Sequence, residues 1–227
     1  QIPRDTYVGE SVKTGGTGKI NAVYSHNNGI EGTAAVVNDM FKVPIDHYVT
    51  LTLDGFRYIV DAMGGVEVDV PVYINLEGEE IFPGKQVLTG FMADKFVRER
   101  KSYATSDLKR IEMQQLFIKA MVQKVMTMGK KDMVKLITDS IKYLTTDLTL
   151  KNILDYYNAF TKLDGVNSIN FHSLPIAGAR GGSVLSVKAK PTADILNEYF
   201  RPYMPKVPYD DLGVIELVTN YEYQSQE

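Results

Sequence analysis

Apolar residues recur along this chain at two spacings, and the two alternate. After a Gly/Thr-rich loop over 6–18, helical spacing holds over 20–26. It holds again over 30–41, where Ala34, Ala35, Val37, Met40 and Phe41 make one face. Residues 46–53 place β-branched and aromatic residues in near alternation, which predicts a strand. Asp54 is suited to cap a helix over 55–63, which Gly64 and Gly65 stop. Residues 66–72 alternate cleanly as a second strand, with Pro71 limiting the later pairing. Helical spacing resumes over 87–98 and, beyond a polar loop, over 107–128. Helices fit 131–144 and 149–162, strands fit 167–173 and 184–188, and a Gly-rich hairpin region covers 176–183. A last helix over 191–200 opens with Pro191 in its first turn. This alternation predicts an α/β fold: a three-layer α/β/α sandwich with a mixed central sheet and helices on both faces. With neither a repeat nor a low-complexity linker, residues 1–207 read as one domain and 208–227 as a C-terminal tail.

The long helix breaks its own pattern. Asp107, Arg110 and Gln114 share one stripe at i, i+3 and i+7, and further along that stripe carries Phe117, Ile118, Met121 and Val125. A core-facing stripe thus opens with a carboxylate, a guanidinium and an amide. Such groups are costly to bury unpaired, so they meet partners or line a cavity. The free N–H groups and positive dipole end of the helix favour a phosphate there.

Charge sharpens this reading. The chain carries a net charge of −3, yet residues 91–110 hold six basic groups against three acidic ones. That local excess marks the first place to look for an anion. Just before the long helix, Arg98 and Arg100 flank Glu99; at alternate positions of an extended stretch, both guanidiniums would point one way and fork onto phosphate oxygens. Surface ion pairing of these arginines with Glu99 and Asp94 is the plainer alternative. An acidic chain with one short basic stretch argues against a nucleic-acid partner.

Other chemistry is excluded or thin. The chain has no cysteine, hence no thiol nucleophile, zinc-thiolate site or disulfide. Residues 15–20 (GGTGKI) resemble a P-loop only faintly, because Lys13 stands in place of its first glycine and Ile20 in place of its Ser/Thr. His26, His47 and His172 lack metal-ligand spacing, and there is no Gly-x-Ser-x-Gly elbow. Asp5, beside Arg4, either binds metal or pairs locally. No apolar run reaches the roughly 18 residues that would span a bilayer.

Four blocks occur in order: PRDTYV (3–8), KINAVYSHNNG (19–29), DGFRYIVDAMGGVEVDVP (54–71) and FVRERKSYATSDLKRIEMQQ (96–115). Together they resemble the signature blocks of the LytR-CpsA-Psr family. GGSVLSVKAKPTADILNEYF (181–200) resembles its C-terminal strand and helix. The resemblance implies transfer of a glycopolymer, such as a teichoic acid or capsular polysaccharide, from a polyprenyl pyrophosphate carrier to peptidoglycan. It implies Mg²⁺ as cofactor, a long apolar pocket for the lipid, and action at the extracytoplasmic face of the bacterial membrane, with a membrane anchor upstream of Gln1. By position, Arg4, Lys19, Arg98, Arg100 and Arg110 resemble the family's pyrophosphate-binding cations, and Asp107 and Gln114 their polar partners. Arg98, Arg100, Asp107 and Arg110 are the expected catalytic set. Two features depart from the pattern. Met113 stands where the family often has an arginine, and the strands bearing the Mg²⁺-linked aspartates are expected upstream of Gln1, which leaves Asp5 as the metal candidate in this chain. A polyprenyl-pyrophosphate hydrolase and a non-catalytic module binding lipid or anionic polymer are the alternatives.

Overall fold

A computed structural model describes residues 1–99, 106–180 and 183–217, with backbone alone at 106–109 and 177–180. The chain divides into two compact units, one from Gln1–Tyr48 and Phe171–Glu227, the other from Val49–Asn170.

In the first unit, residues 4–8 are stitched along both sides. Tyr7 N–H donates to Leu185 O at 2.8 Å, and Leu185 N–H returns to Asp5 O at 2.9 Å. On the other side, Val8 N–H donates to Gly18 O (2.8 Å) and Ile20 N–H to Thr6 O (2.9 Å). Gly18 is required here: its φ is +70°, and a Cβ would lie 2.5 Å from the Tyr7 ring. Helix α1 (Ile20–His26) starts from this junction, and α2 (Gly29–Phe41) follows.

The second unit opens with β1 (Val49–Leu51) and α3 (Leu53–Ala62). Thr52, not Asp54, caps α3: its hydroxyl accepts from Gly55 N–H at 3.0 Å, and Asp54 sits inside the first turn. Next come β2 (Val66–Val70), β3 (Ile74–Leu76), β4 (Glu79–Ile81) and β5 (Gly84–Leu88). The strand β2 alternates buried and exposed residues, as its sequence predicts. Helix α4 (Gly90–Arg98) is capped by Thr89, so the helix expected over 87–98 begins three residues later, and Val87 and Leu88 end a strand. The long α5 (Ser106–Thr127), α6 (Lys130–Ser140), β6 (Leu144–Thr146) and α7 (Leu150–Phe160) complete the unit. The core of this unit gathers Val60, Val66, Val68, Ile74, Leu88, Phe96 and Phe117. Residues 144–146, expected as the end of a helix, pair with β1 instead: Leu144, Thr145 and Thr146 face Leu51, Thr50 and Val49.

The chain then returns to the first unit. Residues 167–173 were expected as a strand. Val166–Ser168 instead form a 3₁₀ turn and 169–175 are irregular; Leu174 N–H donates to Gln1 O at 3.2 Å, and no strand among the described residues pairs with this segment. The Gly-rich hairpin is present as β7 (Ile176–Arg180) against β8 (Val184–Val187), and α8 (Ala189–Ile195) runs on into a π turn over Leu196–Phe200. Residues beyond 207 do not leave the fold at once. Leu212 is buried with Met40, Phe41, Val187 and Leu196, and Leu217 N–H donates to Ser186 Oγ at 2.8 Å.

The protein is α/β. Its strand pairing among the described residues is four two-stranded antiparallel ladders: β1–β6, β2–β5, β3–β4 and β7–β8. The mixed character expected of the sheet is confined to the bridges beside β8, where Thr6 pairs parallel with Leu185.

Candidate functional site

In the second unit, a buried carboxylate gathers two guanidiniums. Asp94, on α4, has no exposed side-chain surface. Arg98 lies one turn further along the same helix; its Nε donates to Asp94 Oδ1 at 2.7 Å and its Nη2 to Oδ2 at 3.1 Å. Arg57, on α3, donates to Oδ2 from Nε at 3.1 Å and from Nη2 at 2.5 Å. Burial pushes the Asp94 carboxyl up, but the hydrogen bonds from Arg57 and Arg98 outweigh it and hold the group below the usual carboxylate range. The same bond to Asp94 holds Arg98 firmly protonated.

The two helices meet at a glycine. Gly90 packs against the backbone of Arg57, so closely that a Cβ would lie 2.1 Å from Arg57 O. Gly90 N–H donates to Asp61 Oδ1 at 2.7 Å, joining the start of α4 to the end of α3. One turn beyond this close approach, Asp94 meets the Arg57 side chain.

The β3–β4 hairpin adds a second carboxylate. Glu77 and Gly78 form its two-residue turn, with φ of 54° and 85°, so a non-glycine residue holds a left-handed conformation there. Glu77 pairs with the buried Lys95 and lies 3.5 Å from Arg98 Nη2. The hydrogen bond from Lys95 holds the Glu77 carboxyl low. Lys95 Nζ also sits 4.6 Å from the centroid of the half-exposed Phe91 ring. Arg57 Nη1 also lies 3.5 Å from Oδ1 of the exposed Asp54. The three cations Arg57, Lys95 and Arg98 thus face three carboxylates, Asp94, Glu77 and Asp54, of which Asp94 alone has no exposed side-chain surface.

The expected residues divide between the two units. Arg98 closes α4 instead of lying on an extended strand. Arg110 is buried on α5, and Gln114 Nε2 donates to Val97 O at 3.1 Å, tying α5 to the last turn of α4. This stripe does bury polar groups, and Gln114 satisfies itself in part on backbone. Asp107 falls in the first turn of α5, but its side chain and the whole of Arg100 lie outside the described residues. In the first unit, Lys19 Nζ approaches Asp5 Oδ1 at 3.1 Å, and Arg4 Nε lies 3.6 Å from Asp5 Oδ2 with its side chain more than half exposed. Local pairing, one of the two readings of Asp5, is therefore present. Asp5 Oδ1 is nevertheless buried and receives no hydrogen bond of good geometry. Among the described residues, no three His, Asp or Glu side chains are grouped to hold a metal.

The sequence reading missed Arg57 and Glu77, counted Lys95 only among the six basic groups of residues 91–110, and named Asp94 as an acidic group of that stretch and a surface pairing partner. The i, i+4 spacing of Asp94 and Arg98 was a usable signal. The contact of Arg57 with Asp94, 37 residues apart, had none.

The first unit also holds an apolar cavity of about 390 Å³, lined by Val37, Phe41, Val43, Leu174, Leu196 and Phe200 among others.

Residues 1–201 match the model of the LytR_cpsA_psr family. A Bacillus mycoides protein named polyisoprenyl-teichoic acid–peptidoglycan teichoic acid transferase TagU is 37% identical over 123 residues, which make 54% of this chain and 40% of that protein. A Bacillus anthracis protein of the same name is 33% identical over 158 residues, 68% of this chain and 50% of its own length. The chain thus spans about half the length of the curated relatives it matches. The crystal structure of TagU from B. subtilis superposes with a TM-score of 0.66 at 23% identity, covering 91% of this chain and 86% of that one. At that identity the likeness speaks for the fold.

Proposed function

The chain belongs to the LytR-CpsA-Psr family, and on that premise we propose that it transfers a glycopolymer from a polyprenyl pyrophosphate carrier to peptidoglycan. The glycopolymer is of the teichoic acid or capsular polysaccharide type, and the teichoic acid named in the relatives' descriptions supports the former. The reaction belongs at the extracytoplasmic face of the membrane, where peptidoglycan lies. Among the described residues, no helix is long and apolar enough to cross that membrane. The observation that carries the reading is Arg98 at the end of α4, held by Asp94 and keeping guanidinium N–H groups beyond those that Asp94 engages.

The chemistry follows from charge. An acceptor hydroxyl oxygen attacks the phosphorus that bears the glycan, the bond from that phosphorus to the bridging oxygen breaks, and polyprenyl phosphate leaves with the electron pair. The acceptor proton passes to solvent or to a nearby base. Negative charge grows on the leaving phosphate, and preorganised cations that meet it there lower the barrier. In the second unit Arg98 and Arg110 serve that end, and Arg100 takes the same role by its place in the family's block. Asp107 orients an arginine; a base role fits it less well, because neighbouring guanidiniums depress a carboxylate's pKa. The apolar cavity of the first unit has room for part of a prenyl chain.

Mg²⁺ belongs to the proposal as the metal the family implies. Asp5 fits it as one oxygen ligand, through the buried Oδ1 that lacks a good hydrogen bond. A single carboxylate is compatible with Mg²⁺, which commonly completes its shell with water and substrate phosphate. When bound, it supplies charge neutralisation on the pyrophosphate oxygens.

The test is product analysis of a polyprenyl pyrophosphate-linked oligosaccharide with Mg²⁺, with and without peptidoglycan fragments. A glycan joined to the acceptor through phosphate supports transfer. Acceptor-independent release of polyprenyl phosphate replaces the reading by a hydrolase. Binding without turnover replaces it by a lipid- or polymer-binding module.

A further inference from the structure

Asp94 accepts four N–H bonds, three on Oδ2 and one on Oδ1, all from Arg57 and Arg98. With no exposed side-chain surface, this carboxylate is closed to a metal ion and to an acceptor proton. Its effect on chemistry must pass through the groups it holds.

The way it holds Arg98 is selective. The bond pair uses Nε and one edge of Nη2, so the guanidinium plane is fixed at two points. Of its five N–H groups, both on Nη1 and the second on Nη2 point away from Asp94. Those three include the edge that forks onto two oxygens of a phosphate. The second Nη2 group faces Glu77 at the long distance of 3.5 Å, and the Glu77 side chain is 56% exposed, so that contact is readily exchanged for a ligand oxygen. An unheld arginine would lose rotamer freedom on binding; this one has already lost it.

Arg57 explains why the carboxylate does not cancel what it positions. With one arginine, Asp94 would form a neutral pair. With two, the triad of Asp94, Arg57 and Arg98 carries one positive charge, met only at 3.5 Å by the exposed carboxylates of Asp54 and Glu77.

We propose that Asp94 is the positioning residue for Arg98 in pyrophosphate binding, with Arg57 as the second arm of the clamp. The inference rests on the reading of Arg98 as a pyrophosphate ligand. Asp94 touches no substrate atom. It selects which edge of Arg98 faces the substrate.

The test pairs a spectroscopic signature with a binding cycle, both on the whole chain. In ¹⁵N-correlated NMR, the Arg98 Nε–H signal, assigned by its loss in Arg98→Lys, is expected to be resolved and slow to exchange. It should merge with free arginines in Asp94→Asn and persist in Arg57→Gln. Titration with geranyl pyrophosphate and Mg²⁺ is expected to show affinity falling about ten- to hundredfold in Asp94→Asn, the scale of losing hydrogen bonds to a charged group. That loss should vanish when Arg98→Ala is already present. If Asp94→Asn does not fold, Arg57→Gln carries the cycle, with a loss of a few-fold that likewise disappears in the Arg98→Ala background. Equal losses with and without Arg98 would mean that the cluster merely stabilises the fold, and would overturn the proposal. A free-arginine signal for Arg98 in the unaltered chain would overturn the clamp itself. A held Arg98 signal with no binding of geranyl pyrophosphate would leave the clamp standing, and would remove both the function reading and the purpose assigned to the clamp.

Discussion

A carboxylate without exposed surface stays charged only if its neighbours outweigh its lost hydration, and at Asp94 two guanidiniums do so. Its folded pKa lies below the ordinary value of 3.8. Such a group contributes stability that is complete above its unfolded pKa and is lost as pH falls through the folded value. Asp94→Asn should therefore cost about 1–3 kcal/mol at pH 7, the scale of losing hydrogen bonds to charged groups. Urea unfolding of variant and parent should give a constant gap at neutral pH that narrows below the ordinary carboxyl pKa. A gap unchanged in acid would show that Asp94 is not a stabilising anion. Arg98 carries the larger functional effect. Arg98→Ala should lower turnover by roughly a hundredfold or more, the scale of losing a preorganised charge-stabilising donor. Asp107→Asn should lose less, because an amide still orients an arginine; the reverse order would assign Asp107 the base role.

At the scale of elements, the cluster depends on how α3 and α4 meet. The Gly90 backbone lies against Arg57, so any side chain there must push the helices apart. Gly90→Ala should destabilise the protein by about 1–3 kcal/mol, the range for overpacking, and weaken pyrophosphate binding by separating Arg57 from Asp94. Thermal melting alongside titration checks both; a stable variant with unchanged affinity would detach the cluster from this contact. Beneath it, Phe117 packs at 5.5 Å from Phe56 and 6.3 Å from Phe96, ring to ring. Phe117→Ala should cost about 3–5 kcal/mol in unfolding free energy. Much of this framework was legible in the sequence. The helices α1 and α7 and the strand β2 follow from apolar spacing alone, and α5 follows from it beyond the polar start of its stripe. The hairpin β3–β4 and the strand β5 were not legible. Their strands are three to five residues long and lie among Glu77, Gly78, Glu79, Pro83 and Gly84, which blur alternation. The site was legible where charge broke a pattern, as at Arg98 and along the stripe of Arg110 and Gln114. Its supports were hidden wherever the contact is long-range. Arg57 reads as an ordinary surface residue of α3, and Glu77 as an ordinary turn residue.

At the scale of the whole molecule, a chain of net charge −3 repels polyanions on average, so binding of an anion depends on local fields. Side chains such as Arg4 and Arg98 are partly exposed, and salt screens them. Affinity for geranyl pyrophosphate should fall several-fold as ionic strength rises from about 0.05 to 0.5 M, across which the screening length shortens to a few ångströms. Affinity indifferent to salt would place the binding energy in the apolar cavity instead. The most direct test of the central claim is release of polyprenyl phosphate from a polyprenyl pyrophosphate-linked oligosaccharide by this chain with Mg²⁺ and peptidoglycan fragments, beside Arg98→Ala. The account predicts acceptor-dependent release by the parent and its near loss in the variant. Release that is equal in both, or absent from the parent, would contradict it.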